Sequence, residues 1–257
     1  MDALDLLQSH NYAEAIAECR RRLSANPNDV GAIDTMASAL RALEKYDEAL
    51  PLFERVGAHE KESKIAPGRP GRQEEISCLY WFLGNRQKAI ALMRGLVDGI
   101  LDRSIQYGDV AGGMQQGLLL YYMAVTERQP EQAACALDYM RNRINRLKRL
   151  LPPGLPVDYW PIPVARYYLG DLAFDELLVF ATGQRKLSQA IEAARVKLMS
   201  RRKLCGALFH DGVRSRAQGA EDRCLARMRE CYGLEDPLIE PEWYLARHEV
   251  EQAAGKA

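Results

Sequence analysis

The sequence has no excess of either charge, with 35 lysine and arginine residues against 35 aspartate and glutamate residues among 257. This balance gives no global electrostatic reason to expect nucleic acid or an anionic membrane as a partner. Apolar runs are short as well, and the longest strongly apolar one, 118–125, cannot cross a bilayer as a helix. The first residues are acidic where a secretory signal would be basic, and no long apolar stretch follows them. We therefore expect a cytoplasmic protein that does not bind membranes.

Motifs for metal binding and catalysis are also missing. The six cysteines form no CxxC pair and the four histidines are scattered, so we expect free thiols, no metal and no cofactor. His248 and Glu249 begin a zinc-protease pattern, but Gln252 stands where the second histidine would be needed. The glycine-rich segment 108–117 lacks the lysine and hydroxyl residue that hold a nucleotide phosphate, and we predict a tightly turned loop there. The chain is therefore not expected to be an enzyme.

One octapeptide occurs twice, as YAEAIAEC from Tyr12 and as YDEALPLF from Tyr46. Superimposing the copies aligns the two tyrosines, and it aligns Ala15 with Ala49, each pair 34 residues apart. A period of this length is typical of helix-turn-helix repeats. The alanine lets a neighbouring helix approach closely, and the larger apolar residues lie on one stripe of the helix. The motif therefore predicts an architecture and not a reaction.

The two copies resemble tetratricopeptide repeats, a helical-repeat family found in many bacterial proteins. The first copy, 2–27, matches that family's pattern at Tyr12, Ala15, Ile16, Leu23 and Pro27. The second copy, 28–60, matches it at Ala37, Leu40, Tyr46, Ala49, Leu50 and Phe53. The resemblance implies an all-α fold, a right-handed superhelical α-solenoid of antiparallel helix pairs, which binds partners and carries no chemistry of its own.

Degenerate copies continue the array. We predict about four repeats over 1–150, with inserted loops at 57–72 and 102–113, because the packing alanines drift from a 34-residue period to spacings of 40 and 44. The proline-rich segment 151–163 is predicted to be a structured linker whose aromatic residues dock on a helix. Further repeat-like helices and a capping helix are expected over 164–257.

In the resembled family, the inner helix of each repeat faces the partner. Carrying its binding positions onto this chain gives a set of predicted partner-binding residues. They are Asp34, Ser38 and Arg41, then Glu74, Cys78, Trp81 and Phe82, then Gln115, Leu118, Tyr122 and Val125, and finally Tyr167 and Phe209. Trp81, Phe82 and Tyr122 would together form an aromatic groove. The alternative is that these aromatic residues fill the core between helices.

Basic residues cluster at 20–22, 141–149 and 201–203, at or near the ends of predicted helices. Cations at these positions complement the negative end of the helix dipole, which is the preferred interpretation. If several of them lay on one edge, they could hold an acidic protein or RNA, although the neutral total charge makes nucleic acid a poor expectation.

The sequence thus predicts a non-enzymatic module that binds a protein or peptide on its concave face. Irregular spacing between repeats favours a single dedicated partner, such as a toxin bound by an immunity protein or a secreted protein bound by a chaperone. Two alternatives stay open at this point. One is a regulator that responds to a small molecule or nucleotide through 102–117, and the other is a self-associating structural scaffold.

Overall fold

A computed structural model describes residues 2–62, 72–106, 111, 113–150, 152, 157–236 and 240–255, without the side chains of residues 61 and 62. Every regular element in these residues is an α-helix, which confirms the all-α prediction. The chain forms two compact units, unit 1 (Met1–Tyr107) and unit 2 (Gly108–Ala257). The sequence predicts a linker between two groups of helices at 151–163, whereas the described helices on both sides of that segment belong to unit 2.

The described residues of unit 1 form six helices that pack against their neighbours in chain order. They are α1 (Ala3–Gln8), α2 (Tyr12–Ala25), α3 (Val30–Ala42), α4 (Tyr46–Glu62), α5 (Gln73–Phe82) and α6 (Arg86–Leu101). Aspartates begin two of them, because the carboxylate of Asp2 accepts hydrogen bonds from the first turn of α1 and Asp29 caps α3 through the backbone N–H of Ala32. The predicted packing alanines of α2, α4 and α6 are fully buried: Ala15, Ala49 and Ala89.

Unit 2 contains the other eight helices of the described residues. They are α7 (Met114–Thr126), α8 (Pro130–Leu150), α9 (Ile162–Tyr168), α10 (Phe174–Thr182), α11 (Leu187–Val196), α12 (Leu198–Ala217), α13 (Glu221–Tyr232) and α14 (Pro241–Ala254). No helix of the described residues combines the length and the apolar character that a membrane crossing requires.

The same turn joins six helix pairs, three in each unit. Its central residue has a positive φ, and the residues are His10, Glu44, Gly84, Arg128, Gly170 and Gly219, separated by 34, 40, 44, 42 and 49 positions. In each turn, the central N–H donates to the carbonyl three residues earlier, and the next N–H donates to the carbonyl five residues before it. This pair of bonds is the Schellman motif, which satisfies carbonyls at the end of a helix. The same turn between two helices therefore recurs beyond the two copies that the sequence pattern identifies.

Two predicted loops differ from the structure. Residues 57–62, expected to begin the first inserted loop, continue α4 to Glu62. One glycine costs a helix only about 1 kcal/mol, and the buried side chains of Phe53 and Val56 hold α4 in place. Residues 63–71, 107–110 and 112 of the two loops lie outside the described residues. The end of the glycine-rich segment is also helical, since Gly117 lies within α7.

Helix α12 is the centre of unit 2. It packs against α7, α9, α10, α11, α13 and α14, and most of its side chains from Leu204 to Val213 are fully buried. Two glycines allow this close packing. A Cβ on Gly206 would lie 3.0 Å from the Trp160 ring, and one on Gly212 would lie 3.1 Å from the backbone of α13. Trp160 thus docks on a helix as predicted, whereas its neighbour Tyr159 is exposed.

A glycine in α7 gives a test of this packing. A Cβ on Gly117 would lie 2.5 Å from Cδ1 of Tyr139, whose buried ring is held by a 2.6 Å hydrogen bond to the Gly113 carbonyl. Overpacking costs about 1–3 kcal/mol, more than the roughly 1 kcal/mol that alanine gains in a helix. We therefore expect Gly117→Ala to lower the urea midpoint of unfolding measured by far-UV circular dichroism.

The matched control is Gly95→Ala in α6, where no heavy atom lies within 4 Å of the added Cβ. This variant is expected to be more stable than the wild type by about 0.5–1 kcal/mol. If both substitutions raised the midpoint, the close contact between α7 and Tyr139 would be wrong.

Candidate functional site

Two of the residues predicted to bind a partner in unit 2 instead contact the chain's own last helix. The side-chain amide of Gln115 donates to Glu242 at 2.6 Å, and the hydroxyl of Tyr122 donates to Glu249 at 2.7 Å. The two donors are seven residues apart on α7, and the two acceptors are seven residues apart on α14. Because the residue numbers of donors and acceptors increase together, α7 and α14 run in the same general direction, and these side chains bridge them. These two hydrogen bonds to α14 therefore engage side chains of α7 that the sequence assigned to a partner.

A third predicted residue, Tyr167, is bound in a similar way. Its hydroxyl donates to the carboxylate of Asp211 at 2.5 Å, and Asp211 is completely buried in α12. Two guanidinium groups from α13 compensate this charge, with Arg227 Nε at 2.6 Å and Arg223 at 3.3 Å. A buried carboxylate requires such partners because an unpaired charge is costly away from water. Asp211 therefore joins α9, α12 and α13.

The carboxylate of Glu242 lies in a buried polar cluster. Besides Gln115, it contacts Nε2 of His210 at 3.3 Å, and the other ring nitrogen of His210 is hydrogen bonded to the Tyr168 hydroxyl at 2.7 Å. Burial alone would raise the pKa of Glu242, but the hydrogen bond and charge of His210, with the bond from Gln115, outweigh it and lower that pKa. Burial raises the pKa of Tyr168 well above its ordinary value. The cluster therefore keeps its carboxylate ionised inside the protein.

The second carboxylate of α14, Glu249, lies beside an open cleft of about 670 Å³ in unit 2. It pairs with Arg216 at 2.9 Å, and Arg216 also binds Glu221 and the hydroxyl of Thr126. Burial would raise the pKa of Glu249, but the bonds from Arg216 and Tyr122 lower it. On this wall of the cleft, Arg216 thus lies between two carboxylates and pairs with both.

The remaining predicted residues of unit 2 are also covered by the fold. The rings of Tyr122 and Phe209 make an edge-to-face contact at 4.9 Å, and both side chains are fully buried, as is Leu118. Val125 is half-buried beside the Arg216 cleft. Aromatic residues thus fill the space between α7 and α12 in unit 2, as the alternative interpretation of the sequence expected.

In unit 1 the predicted residues fall into two groups. Asp34, Ser38 and Glu74 are half-buried, whereas Arg41, Cys78, Trp81 and Phe82 are buried. The Asp34 carboxylate pairs with Arg72 at 2.7 Å, and its pKa is raised because burial outweighs the opposing charge of Arg72. Trp81 is fully buried with the Arg86 guanidinium 4.0 Å from its ring centre. A part in partner binding stays a prediction for this set.

An open cleft lies elsewhere in unit 1, on another face of α5. This α4–α6 cleft has a volume of about 540 Å³ and takes three residues from each of three helices. They are Glu54, Gly57 and Ala58 of α4, Gln73, Ile76 and Tyr80 of α5, and Lys88, Ala91 and Leu92 of α6. The sequence assigned Glu74, Cys78 and Trp81 of α5 to binding, a neighbouring stripe of the same helix.

Tyr80 organises the charged groups of the cleft. Its hydroxyl donates to Glu54 at 2.8 Å, and the Lys88 ammonium lies 3.9 Å from the centre of its ring. Ile76 and Leu92 supply apolar surface, and Gly57 leaves room at the wall. The periodicity of α5 could have indicated this stripe, because Gln73, Ile76 and Tyr80 are spaced as neighbours on one helical face. What the sequence could not show is that α4 continues far enough to form the opposite wall.

Metal ligands and thiols give no further site. Within the described ranges, no group of three His, Cys, Asp or Glu side chains is placed to hold a metal ion. All six cysteines are free, and the closest two, Cys205 and Cys231, have their sulfur atoms 3.2 Å apart in the core of unit 2. Burial raises the pKa of the Cys205 thiol well above its ordinary value, so a reactive thiolate is disfavoured there.

The start of α14 predicts a pH dependence of stability. Burial and the nearby charge of Glu242 raise the pKa of Glu240 to about 7, although its ion pair with Arg202 opposes this. The folded protein therefore retains a proton that the unfolded chain releases, and the resulting stability is complete below pH 4.5 and is lost as the pH rises through about 7. Over this pH window we expect the free energy of unfolding of the wild type to fall by about 2 kcal/mol relative to that of Glu240→Gln. The measurement is urea unfolding of both proteins, repeated at each pH.

Glu235→Gln is the control for that series, because the Glu235 side chain is 63% exposed. It should keep the pH dependence of the wild type. Equal pH dependence in the wild type and in Glu240→Gln would contradict the environment described for Glu240.

Comparison with known proteins adds no name to these sites. No protein-family model matches the chain. No curated protein matches it in sequence either.

Proposed function

We propose that this chain is a tetratricopeptide-like helical-repeat protein that binds a protein or peptide partner, and that the α4–α6 cleft is its binding site. The recurring turn supports the first part, since the first helix of each of six pairs ends in the same two hydrogen bonds. These turns follow one another at spacings of 34 to 49 residues. The proposal includes the right-handed superhelix that the resemblance implies. It also includes a cytoplasmic location, for which six free cysteines are suitable.

The observation that carries the function is the composition of the α4–α6 cleft. Three small residues leave space in its walls, three large residues supply apolar surface, and three polar residues can orient a ligand. Binding sites commonly combine a mainly apolar lining with a few polar groups in this way. The cleft suits a partner that inserts an apolar side chain next to Ile76 and Leu92 and places polar groups near Glu54 and Lys88.

Unit 2 supports the same choice by what its side chains already contact. The residues that the sequence proposed for binding there, Gln115, Tyr122 and Tyr167, donate hydrogen bonds to carboxylates of α12 and α14. A partner could use them only by breaking these bonds and exposing buried charges, which would cost several kcal/mol. The α4–α6 cleft is open without any such rearrangement.

A single dedicated partner fits the irregular spacing of the turns. Regular arrays present the same surface many times, whereas the spacings here drift from 34 to 49 residues. Such a shape suits one complementary surface, as in an immunity protein that binds its toxin or a chaperone that binds one secreted protein.

The test replaces an exposed residue of the α4–α6 cleft with a larger one that blocks the cleft. Ala91→Trp places a large ring in the cleft without disturbing buried residues, because Ala91 is exposed on α6. We expect the tagged full chain to capture a stoichiometric protein from extracts of its native host, and Ala91→Trp to weaken that complex by roughly tenfold or more. Affinity is then measured with the purified partner.

Ala17→Trp, on an exposed position of α2, is the matched control and should bind like the wild type. Circular dichroism checks that both variants keep their helices. Equal capture by all three proteins would remove the cleft from the proposal. Retention of a metabolite with no protein partner would instead support the small-molecule regulator.

A further inference from the structure

The second half of α8 exposes a basic surface that the proposed function does not use. Five of its exposed residues fall within an arc of about 120° around the helix axis. They are Arg141, Asn142, Asn145, Lys148 and Arg149, which we call the basic α8 face. The sequence contains no acidic residue between Tyr139 and Val157, and the half-buried Arg146 adds a further cation beside this face.

The packing of α7 and α8 shows where this face lies in unit 2. The two helices form an antiparallel pair, and the Tyr139 hydroxyl binds the carbonyl of Gly113, the residue that precedes α7. Since Met140 lies beside Gly117, three residues into α7, about the last seven residues of α8 extend past the beginning of α7, over roughly 10 Å at 1.5 Å per residue. One side of the second half of α8 is buried through Met140 and Ile144, and another side carries the basic α8 face.

Contacts within the protein account for only part of this charge. The helix dipole stabilises cations in the last turn, which covers Lys148 and Arg149. Arg141 pairs with Asp138 at 2.7 Å, but both side chains are well exposed and such pairs contribute little. Among the described residues, Arg146 and Lys148 form no ion pair, and Arg146 lies one turn from the like charge of Arg149. Like charges at this spacing cost a few tenths of a kcal/mol, which an anionic ligand would remove.

We propose that the basic α8 face binds an acidic segment of a protein partner. Charge complementarity selects an anionic ligand, and two asparagines between the cations can hydrogen bond to a peptide backbone. Nucleic acid is less suitable, because the face has no aromatic residue to stack on a base and the chain as a whole has no net charge to attract a polyanion. The face belongs to unit 2 and its test does not involve the α4–α6 cleft.

The test compares two triple variants that change the net charge equally. Arg141→Gln and Lys148→Gln remove two cations of the basic α8 face, and Arg146→Gln removes the cation beside it. Arg185→Gln, Lys186→Gln and Arg195→Gln remove three exposed cations elsewhere in unit 2. The probes are a fluorescein-labelled peptide of alternating glutamate and serine and a uridine oligonucleotide of the same net charge, and binding is followed by fluorescence anisotropy at increasing salt.

We expect the wild type to bind the peptide in a salt-dependent way and the α8 variant to bind it about tenfold more weakly, while the control variant binds like the wild type. The oligonucleotide should bind no more tightly than the peptide. Equal losses in the two variants, or no measurable binding of the peptide, would overturn the proposal. Tighter binding of the oligonucleotide that is lost only in the α8 variant would assign the face to nucleic acid and would also overturn it.

Discussion

A carboxylate that leaves water must find charged or hydrogen-bonding partners, and this requirement determines how unit 2 packs. Asp211, Glu242 and Glu249 are each buried or nearly so, and each is bound by side chains from other helices. Their partners lie at fixed positions on α7, α9, α12 and α13, so the helices have little freedom to slide. Apolar packing alone would allow several registers, whereas these contacts favour one.

The two units differ in what the side chains of their helices contact. In unit 2 the aromatic and amide side chains of α7 and α9 serve the protein's own interior, through Gln115, Tyr122 and Tyr167. In unit 1 a neighbouring stripe of α5 lines an open cleft together with residues of α4 and α6. One kind of helix pair, made with one kind of turn, thus uses Gln115, Tyr122 and Tyr167 for internal contacts in unit 2 and lines an open cleft in unit 1.

The sequence predicted the helical class and the packing alanines of α2, α4 and α6, because these depend on local pattern and short-range hydrogen bonds. Most of the proposed binding surface could not be predicted in this way. Trp81 and Tyr122 stand at positions that face a partner in regular arrays, yet here both are fully buried. Whether such a ring is exposed depends on helices far away in the chain, and for Tyr122 the decisive contacts come from α12 and α14. Likewise, the α4–α6 cleft depends on the continuation of α4 through Gly57, where a local rule favours a loop.

Hydrogen exchange of the full chain, measured alone and in complex with its captured partner, tests the central claim most directly, because amide protection reports which helices a partner covers. The account predicts that slower exchange on binding is concentrated in peptides from α4, α5 and α6. Peptides from α7 and α14 should exchange at the same rate in both states, since their contacts with each other are already made. Slower exchange in α7 and α14, with α4 to α6 unchanged, would contradict it.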